Sequence, residues 1–207
     1  MPRKARIVIP GIPHHITQRG NRRQNTFFSA TDYHIYMRFM AIWCEKRKVE
    51  IWCYCLMPNH IHLIALPEME YSLSRAIGEA HRRYTLYVNE KKDWKGYLWQ
   101  GRFSSFPMDE SHLLATARYI ELNPVRSGLV KTPSEYPWSS CKAHLSGEDD
   151  LLVKTKPLLN LVPEWKELLY QGISEKEVET ITTPEKPGRP LGNERFIEKV
   201  ELLRGAP

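Results

Sequence analysis

Four segments of the chain have hydrophobic patterns that suit a β-strand, with alternation in residues 49–57 and 98–108 and an apolar run that begins at His60. These segments are residues 13–17, 49–57, 60–66 and 98–108. Because successive side chains of a strand point to opposite faces of a sheet, each segment is predicted to be a β-strand. The Pro58-Asn59 break between the second and third segments predicts a tight hairpin.

Apolar residues recur at helical spacing in the intervening segments. They predict three helices, over residues 31–48, 72–87 and 109–122. Thr31 or Asp32 is expected to cap the first helix and Asp109 the third. Pro124 is expected to end the third helix, since a proline disfavours helical backbone in the residue before it.

The order strand-helix-strand-strand-helix-strand predicts a ferredoxin-like fold. This is an α+β architecture with an antiparallel sheet, helices on one face and, here, an additional helix at residues 109–122. We expect a main domain at residues 1–149 and a tail at residues 150–207. The tail contains helical patterns near residues 164–171 and 193–203, joined by a proline-rich linker at residues 184–190.

Positive charge is concentrated in two parts of the chain. The overall charge is a modest +6, but residues 1–31 contain no acid and six basic residues: Arg3, Lys4, Arg6, Arg19, Arg22 and Arg23. The second group consists of Arg75, Arg82, Arg83, Lys91 and Lys92. Clustered positive charge near aromatic residues favours a polyanionic partner, most often nucleic acid. An ordinary solvated basic surface is the alternative, and the Gly20-Asn21 turn between arginines fits either.

The cysteines do not form a recognisable metal or disulfide pattern. Cys53 and Cys55 lack the spacing of a zinc motif, and Cys44 and Cys141 do not complete one. Buried, reduced thiols are expected, as in a cytosolic protein. The sequence shows neither a signal peptide nor a long apolar span, so a cytoplasmic protein without a membrane segment is expected.

Two histidines at the start of the third strand are the main candidates for chemistry. His60 and His62 are two apart, so both project from one face of a strand. Such a pair suits a divalent metal, although two half-buried structural histidines are equally consistent with the pattern. Tyr119 and Asn123 are spaced i, i+4 on the third helix. The amide oxygen of Asn123 could complete a site for Mg²⁺ or Mn²⁺.

Five segments together resemble one known family, the REP-associated tyrosine transposases, which belong to the HUH superfamily of transposases acting on single-stranded DNA. The segments occur in the family's order and span about residues 3–145. They are TQRGNRR at 17–23, CLMPNHIH at 55–62, QGRF at 100–103, RYIELNPVR at 118–126 and YPWSS at 136–140. Five ordered segments are far more specific than any one of them.

The resemblance implies a role for each matching residue. His60 and His62 would bind the metal, Tyr119 would be the nucleophile, and Asn123 would be the third ligand. Many insertion-sequence relatives have Gln at the position of Asn123. The implied reaction is metal-dependent cleavage and rejoining of single-stranded DNA at hairpin-forming palindromes, through a 5′-phosphotyrosine intermediate.

The resemblance also implies a DNA surface and a range of assemblies. Seven residues are candidates for contacts with DNA: Arg19, Asn21, Arg22, Arg23, Arg82, Arg83 and Arg102. Contacts of this type position a strand without specifying its sequence. Members of this family act as monomers and insertion-sequence relatives as dimers, so both states are open. A nucleoid-associated location is expected.

Two other functions are consistent with parts of the sequence. A hairpin DNA or RNA binder without catalysis would share the fold, whose sheet can stack bases on aromatic residues. A metal hydrolase could use His60 and His62 with His14 or His15, but it would leave Tyr119 unexplained. The PGRPLG segment at residues 187–192 resembles a motif in the tails of some family members, and a plain linker is the alternative.

Overall fold

Four antiparallel strands form the central sheet. The computed structural model describes residues 7–182 and 190–205, with side chains up to residue 203. The strand order is β2-β3-β1-β4, which is the ferredoxin-like order. The strands are β1 (His14–Arg19), β2 (Val49–Met57), β3 (His60–Pro67) and β4 (Ser104–Pro107). The prediction of an α+β, ferredoxin-like fold is confirmed.

Helices cover both faces of this sheet. α1 and α2 pack against one face, and α3 packs against the other. The helices are α1 (Ala30–Lys46), α2 (Ser72–Lys92), α3 (Glu110–Arg126), α4 (Cys141–Ser146), α5 (Lys156–Leu159), α6 (Trp165–Tyr170), α7 (Glu175–Thr182) and α8 (Glu194–Gly205). The additional helix predicted after the last strand is therefore α3, on the face opposite to the ferredoxin-like pair.

The alternation of β3 divides the core into two clusters. Ile61, Leu63 and Ala65 are buried against α1 and α2, whereas Ile64 is buried on the side of α3. Each of the leucine and isoleucine side chains contributes roughly 1.5–3 kcal/mol when it is removed from water. A slip of one residue would exchange the two faces, so this pattern fixes the register. His60 and His62 have the parity of Ile64 and therefore face α3.

Three local predictions are wrong in detail. The segment at residues 98–103 is not strand: it is a loop with a single bridge between Trp99 and Gly20, and only Ser104–Pro107 extends the sheet. Pro124 lies inside α3, which continues to Arg126. The first helix begins after Ser29, so neither Thr31 nor Asp32 is its cap. Asp32 is buried, where it accepts a hydrogen bond from the Phe28 amide and forms an ion pair with Lys91.

Three other local predictions are confirmed, concerning the bounds of β2, the cap of α3 and the buried cysteines. β2 has the predicted bounds, and the Asp109 side chain caps α3 by accepting from the His112 amide. All four cysteines are buried and unpaired. Within the described residues no helix is both long and apolar enough to cross a bilayer. Arg3, Lys4 and Arg6 lie outside the described residues, as do residues 184–189 of the predicted linker and the start of the PGRPLG segment.

The YPWSS segment lies along the free edge of β2. The Leu56 amide donates to the Trp138 carbonyl at 2.8 Å, and the Ser140 amide donates to the Tyr54 carbonyl at 3.0 Å. Trp138 also stacks on Tyr33 of α1, with ring centroids 4.4 Å apart. The segment therefore covers an edge that would otherwise expose unpaired backbone groups.

The tail beyond residue 150 packs against α3. Trp165 of α6 and Ile181 of α7 are buried in the same cluster as Ile120. Arg118 forms an ion pair with Glu177 of α7. The boundary near residue 150 stays a prediction, but residues 150–182 support the helix that carries Tyr119.

We expect the protein to lose stability as the pH falls from about 6.5 to about 4. His14 is buried, its Nδ1–H donates to the Ile12 carbonyl at 2.7 Å, and its Nε2 accepts from the Ile9 amide at 3.2 Å. Burial lowers the pKa of His14 from 6.5 to about 4, although the bond to Ile12 opposes this. The unfolded chain therefore takes up a proton at His14 first, and this residue alone lowers stability by up to about 1.4 kcal/mol per pH unit as the pH falls.

Urea unfolding at a series of pH values measures this slope. His14→Gln removes one of the groups that cause this loss of stability. It should reduce the slope by up to about 1.4 kcal/mol per pH unit, which corresponds to the uptake of one proton. His34→Gln, which changes an exposed histidine of α1, is the matched control and should retain the wild-type slope. A free energy of unfolding that stays constant down to about pH 4.5 would contradict the prediction.

Candidate active site

His60, His62 and Tyr119 form a compact group between β3 and α3. The ring centroids of His60 and His62 are 5.0 Å apart, and those of His62 and Tyr119 are 5.4 Å apart, both in edge-to-face geometry. Tyr119 is only 7% exposed. The structure thus brings the two predicted metal ligands and the predicted nucleophile together, within a single chain.

Both histidine rings use Nδ1 in a hydrogen bond. Nδ1 of His60 is 2.6 Å from Oδ1 of Asn59, and Nδ1 of His62 is 3.0 Å from Nε2 of His15. The Nε2 atoms have no hydrogen-bond partner among the described residues, and both rings line a cavity of about 470 Å³. One nitrogen of each ring is therefore held while the other remains open, which is the usual arrangement of metal-binding histidines.

The two histidines are held in the neutral form. Burial, and then the nearby charge of Arg19, lower the pKa of His60 from 6.5 to about 4. Burial lowers the pKa of His62 well below its usual range, and His15, His60 and Arg19 lower it further. A metal competes with protons for imidazole lone pairs, so rings whose pKa lies below the usual range are ready to bind one near neutral pH.

Tyr119 lies beside a cation. The guanidinium of Arg126 is 5.4 Å from the centre of the Tyr119 ring. Burial raises the pKa of Tyr119 above 10, whereas the charge of Arg126, a hydrogen bond from it, and the charge of Arg19 lower it. The arginines therefore partly offset the cost of forming a buried tyrosinate.

Asn123 is one turn beyond Tyr119 but is not among the residues that line the cavity. It is buried, its Oδ1 accepts from Ser127 Oγ at 3.2 Å, and its Nδ2 has no partner among the described residues. The residues that the structure describes also contain no group of three or more His, Cys, Asp or Glu side chains suited to a metal. The role of Asn123 as third ligand stays a prediction, and it would require its amide to turn.

The predicted DNA-contacting residues are divided between two places. Arg19 and Arg102 line the cavity. Arg22 and Arg23 lie in the adjoining loop, where Nδ2 of the Asn21 side chain donates to the Tyr97 carbonyl at 3.5 Å.

The structure does not bring Arg82 and Arg83 to this cavity. Both lie on α2, in the helix layer on the opposite face of the sheet, and both are paired with Glu79. Their role in contacting DNA stays a prediction, and a hairpin would have to extend around the sheet to reach them.

The hydrolase alternative lacks its third ligand. The His14 ring is bonded to the backbone of residues 9 and 12, on the other face of β1. His15 is bonded to His62 through its Nε2, which makes it a partner of that ring.

Sequence reasoning gave no role in this site to Arg126 or Asn59, and it considered His15 only as a possible ligand of a hydrolase. Arg126 could have been found, because it is seven residues after Tyr119 and shares its helical stripe. His15 depends on the pairing of β1 with β3, which places Thr17 opposite His62 and Arg19 opposite His60. The contact of Asn59 with the neighbouring ring carries no sequence signal beyond its place in a turn.

The family model described as "Transposase IS200 like" matches residues 9–123, which is more than half of the chain. The chain belongs to the IS200-like transposase family. It is therefore a transposase, as the five ordered segments indicated, and the matched range includes both histidines, Tyr119 and Asn123.

Individual relatives of the IS200-like family agree with this assignment. A Haemophilus influenzae protein named "Putative REP-associated tyrosine transposase" is 30% identical over 121 residues, covering 51% of this chain and 69% of that protein. An Escherichia coli K12 REP-associated tyrosine transposase is 29% identical over 97 residues, covering 46% of this chain and 56% of that protein. A solved structure of a REP-associated tyrosine transposase bound to a REP hairpin superposes with a TM-score of 0.61, at 25% identity, covering 73% of this chain and 90% of that one.

Proposed function

We propose that this transposase cleaves and rejoins single-stranded DNA beside a hairpin, with Tyr119 as the nucleophile. The observation that carries the proposal is the contact of Tyr119 with His62, beside a cavity that Arg19 and Arg102 also line, and with the guanidinium of Arg126. Such a group supplies a nucleophile, two open imidazole nitrogens and positive charge in one place. A structural tyrosine would need none of these neighbours.

A divalent metal suits the two histidines. The side-chain carbonyl of Asn59 faces Nδ1 of His60, so that nitrogen carries the proton and Nε2 has its lone pair available. For His62 to carry its proton on Nδ1 as well, Nε2 of His15 must accept the hydrogen bond from that nitrogen. Mg²⁺ or Mn²⁺ held by His60 and His62, with Asn123 as the proposed third ligand, would offset charge on a nonbridging oxygen of the scissile phosphate.

The remaining steps use residues of the chain itself. The Tyr119 hydroxyl loses its proton to water, and its oxygen attacks the phosphorus atom. A bond forms between that oxygen and phosphorus, the bond from phosphorus to the 3′-oxygen breaks, and the departing 3′-oxygen takes up a proton. Arg126 stabilises the tyrosinate as it forms and again as it departs during rejoining. The phosphotyrosine preserves the bond energy, so the reverse attack by a 3′-OH needs no nucleotide cofactor.

The charges around the cavity support single-stranded DNA as the substrate. Arg19 and Arg102 line it, and the loop with Arg22 and Arg23 adjoins it. The similar solved structure of a REP-associated tyrosine transposase is bound to a REP hairpin, which supports a hairpin as the ligand of this chain. Since Tyr119 lies against His62 of its own chain, we also propose that one copy is sufficient for cleavage.

A labelled hairpin oligonucleotide tests the proposal. A panel of hairpins with single-stranded flanks is incubated with the protein and Mn²⁺ or Mg²⁺, and the products are separated on a denaturing gel. A 5′-phosphotyrosine predicts that a label at the 3′ end of the oligonucleotide stays with the protein, whereas a label at the 5′ end is released on a shorter strand. EDTA should prevent both results.

Other outcomes would favour the alternatives. Tight binding on a native gel across the panel, with no covalent adduct, would favour a hairpin binder without catalysis. Shorter strands without any adduct would favour a hydrolase. Adduct formation that is unaffected by EDTA would contradict the metal dependence alone.

Replacement of Arg126 is expected to slow adduct formation. Arg126→Gln removes the charge that lowers the Tyr119 pKa, so we expect a rate loss of roughly 10–100-fold, equivalent to about 1.4–2.8 kcal/mol. The rise of the rate with pH should also move to higher pH, because the pKa of Tyr119 would increase. Single-turnover rates across a pH series measure both effects.

Arg126→Lys keeps a positive charge and should recover part of the rate. Arg38→Gln, an exposed arginine of α1 on the opposite side of the sheet, is the matched control and should behave as wild type. A pH profile of the Gln variant that superposes on wild type would exclude this role for Arg126.

A further inference from the structure

The side chain of Asn59 connects two parts of the site. Its Oδ1 is 2.6 Å from Nδ1 of His60, and its Nδ2 donates to the Arg23 carbonyl at 3.3 Å. One amide thus contacts a candidate metal ligand on one side and the arginine loop, residues 20–24, on the other. The sequence placed Asn59 in the hairpin turn but gave it no role in the site.

The Arg23 contact determines the orientation of the amide. A carbonyl can only accept, so the amide group facing Arg23 must be the NH₂. The oxygen of Asn59 therefore faces His60, and an oxygen of this type can only accept as well. Nδ1 of His60 must then carry the proton, which leaves Nε2 deprotonated in the neutral ring. The two contacts of the Asn59 side chain thus determine which nitrogen of the neutral His60 ring carries the proton.

The arginine loop has a backbone that needs external support. Arg22 and Arg23 have φ values of 53° and 62°, a left-handed region that non-glycine residues seldom occupy. Gly20 approaches so closely that an added Cβ would lie 2.2 Å from the Gln24 carbonyl oxygen. Its amide donates to the Asn59 backbone carbonyl at 2.8 Å. Both the backbone and the side chain of Asn59 therefore hold this loop closed.

We propose that Asn59 is a positioning residue that fixes His60 in the Nδ1-protonated tautomer and anchors the arginine loop. The metal-binding nitrogen and the phosphate-contacting loop then depend on the same amide. Binding of metal and binding of the hairpin should consequently favour each other, and by the same factor in both directions. The inference rests on the proposed function, in which His60 binds a metal and the loop contacts DNA.

Two substitutions separate the two halves of this role. Asn59→Ala removes both contacts. Asn59→Asp retains an acceptor for Nδ1 of His60 but has no donor for the Arg23 carbonyl. The aspartate variant should therefore keep the tautomer and lose the anchor, and Asn160→Ala, a change in the turn after α5, is the matched control.

Nitrogen-15 spectra of the histidine rings in metal-free protein report the tautomer directly. Wild type and Asn59→Asp should show His60 protonated at Nδ1, and Asn59→Ala should shift it towards protonation at Nε2. Calorimetry with Mn²⁺ alone should show binding at least 10-fold weaker for Asn59→Ala, consistent with the loss of a hydrogen-bonding partner of a ligand. Circular dichroism establishes that each variant is folded.

The anchor is tested with the hairpin of the panel that wild type binds most tightly, in EDTA. Both variants should bind it at least 3-fold more weakly. An unchanged His60 tautomer in Asn59→Ala, or wild-type hairpin affinity in Asn59→Asp, would overturn the corresponding half. If wild type forms no adduct but the tautomer still depends on residue 59, the proposed function fails while the positioning role stands.

Discussion

Tyr119→Phe is expected to abolish the covalent adduct while hairpin binding stays within about twofold of wild type. The substitution removes one hydroxyl and keeps the ring that packs against His62 at 5.4 Å. The free energy of unfolding should change by less than about 1 kcal/mol, because the buried apolar surface is conserved. The nucleophile itself is lost, so the adduct should fall by at least about 1,000-fold. The denaturing gel measures the adduct, and a native gel measures binding.

Tyr97→Phe is the matched control. Tyr97 is 87% exposed and follows α2, so it is the tyrosine that a nonspecific reaction would reach most easily. Its variant should form adduct at the wild-type rate. An adduct that survives in Tyr119→Phe and disappears in Tyr97→Phe would assign the nucleophile to the other residue. A mixture of Tyr119→Phe and His62→Ala proteins should remain inactive, since each copy would have an incomplete site.

Glu121→Ala is expected to lower the free energy of unfolding by about 3–5 kcal/mol. Glu121 is fully buried on α3 and accepts from Ser140 Oγ at 2.7 Å, His144 Nδ1 at 2.6 Å and Trp165 Nε1 at 2.8 Å. Removing the carboxylate leaves the buried donors of His144 and Trp165 without an acceptor, and Ser140 Oγ keeps its longer contact with the Tyr54 carbonyl at 3.3 Å. Such a loss is among the costliest single changes in a protein. For a chain of this size the loss corresponds to roughly 10 °C in Tm. Calorimetry or denaturant unfolding measures it.

Glu110→Ala provides the comparison on the same helix. Glu110 is exposed in the first turn of α3, so its loss should cost less than about 1 kcal/mol. Glu121→Gln preserves the shape and one acceptor, and should fall between the two. A loss of under about 1 kcal/mol in Glu121→Ala would show that the buried network does not stabilise the fold. Because Glu121 is between Tyr119 and Asn123, the same variant should also reduce adduct formation at temperatures where it remains folded.

The parts of the fold that the sequence predicted correctly depend on neighbours in the chain. The bounds of β2 followed from its alternation, and the cap at Asp109 from a residue type that binds the first turn of a helix. The errors arose where distant contacts override a local signal. Asp32 suits a cap, yet it is buried beneath Lys91. The segment at residues 98–108 was predicted to be a strand from its alternation, yet its first residues close a loop in which Trp99 pairs with Gly20.

The same distinction applies to the site. His60 and His62 were placed on one face by the period of a strand, and the spacing of Tyr119 placed it on a helix. The contact between them depends on which helix covers that face of the sheet, and that is a property of the whole fold. The contact of Asn59 with His60, and the role of His15 as a partner of His62, became recognisable only when the register and the orientation of each polar group were known. Roles that act through another residue are therefore the hardest to obtain from sequence.

The packing of residues 150–182 against α3 has a consequence for copies of the gene that have lost their 3′ end. A stop codon near residue 150 would leave all five sequence motifs intact. It would also remove Trp165, which donates to Glu121, and Ile181, which packs in the cluster of Tyr119. The shortened protein would expose an apolar side of the helix that carries its nucleophile. Counting motifs in a genome therefore overestimates the number of copies able to produce a working enzyme.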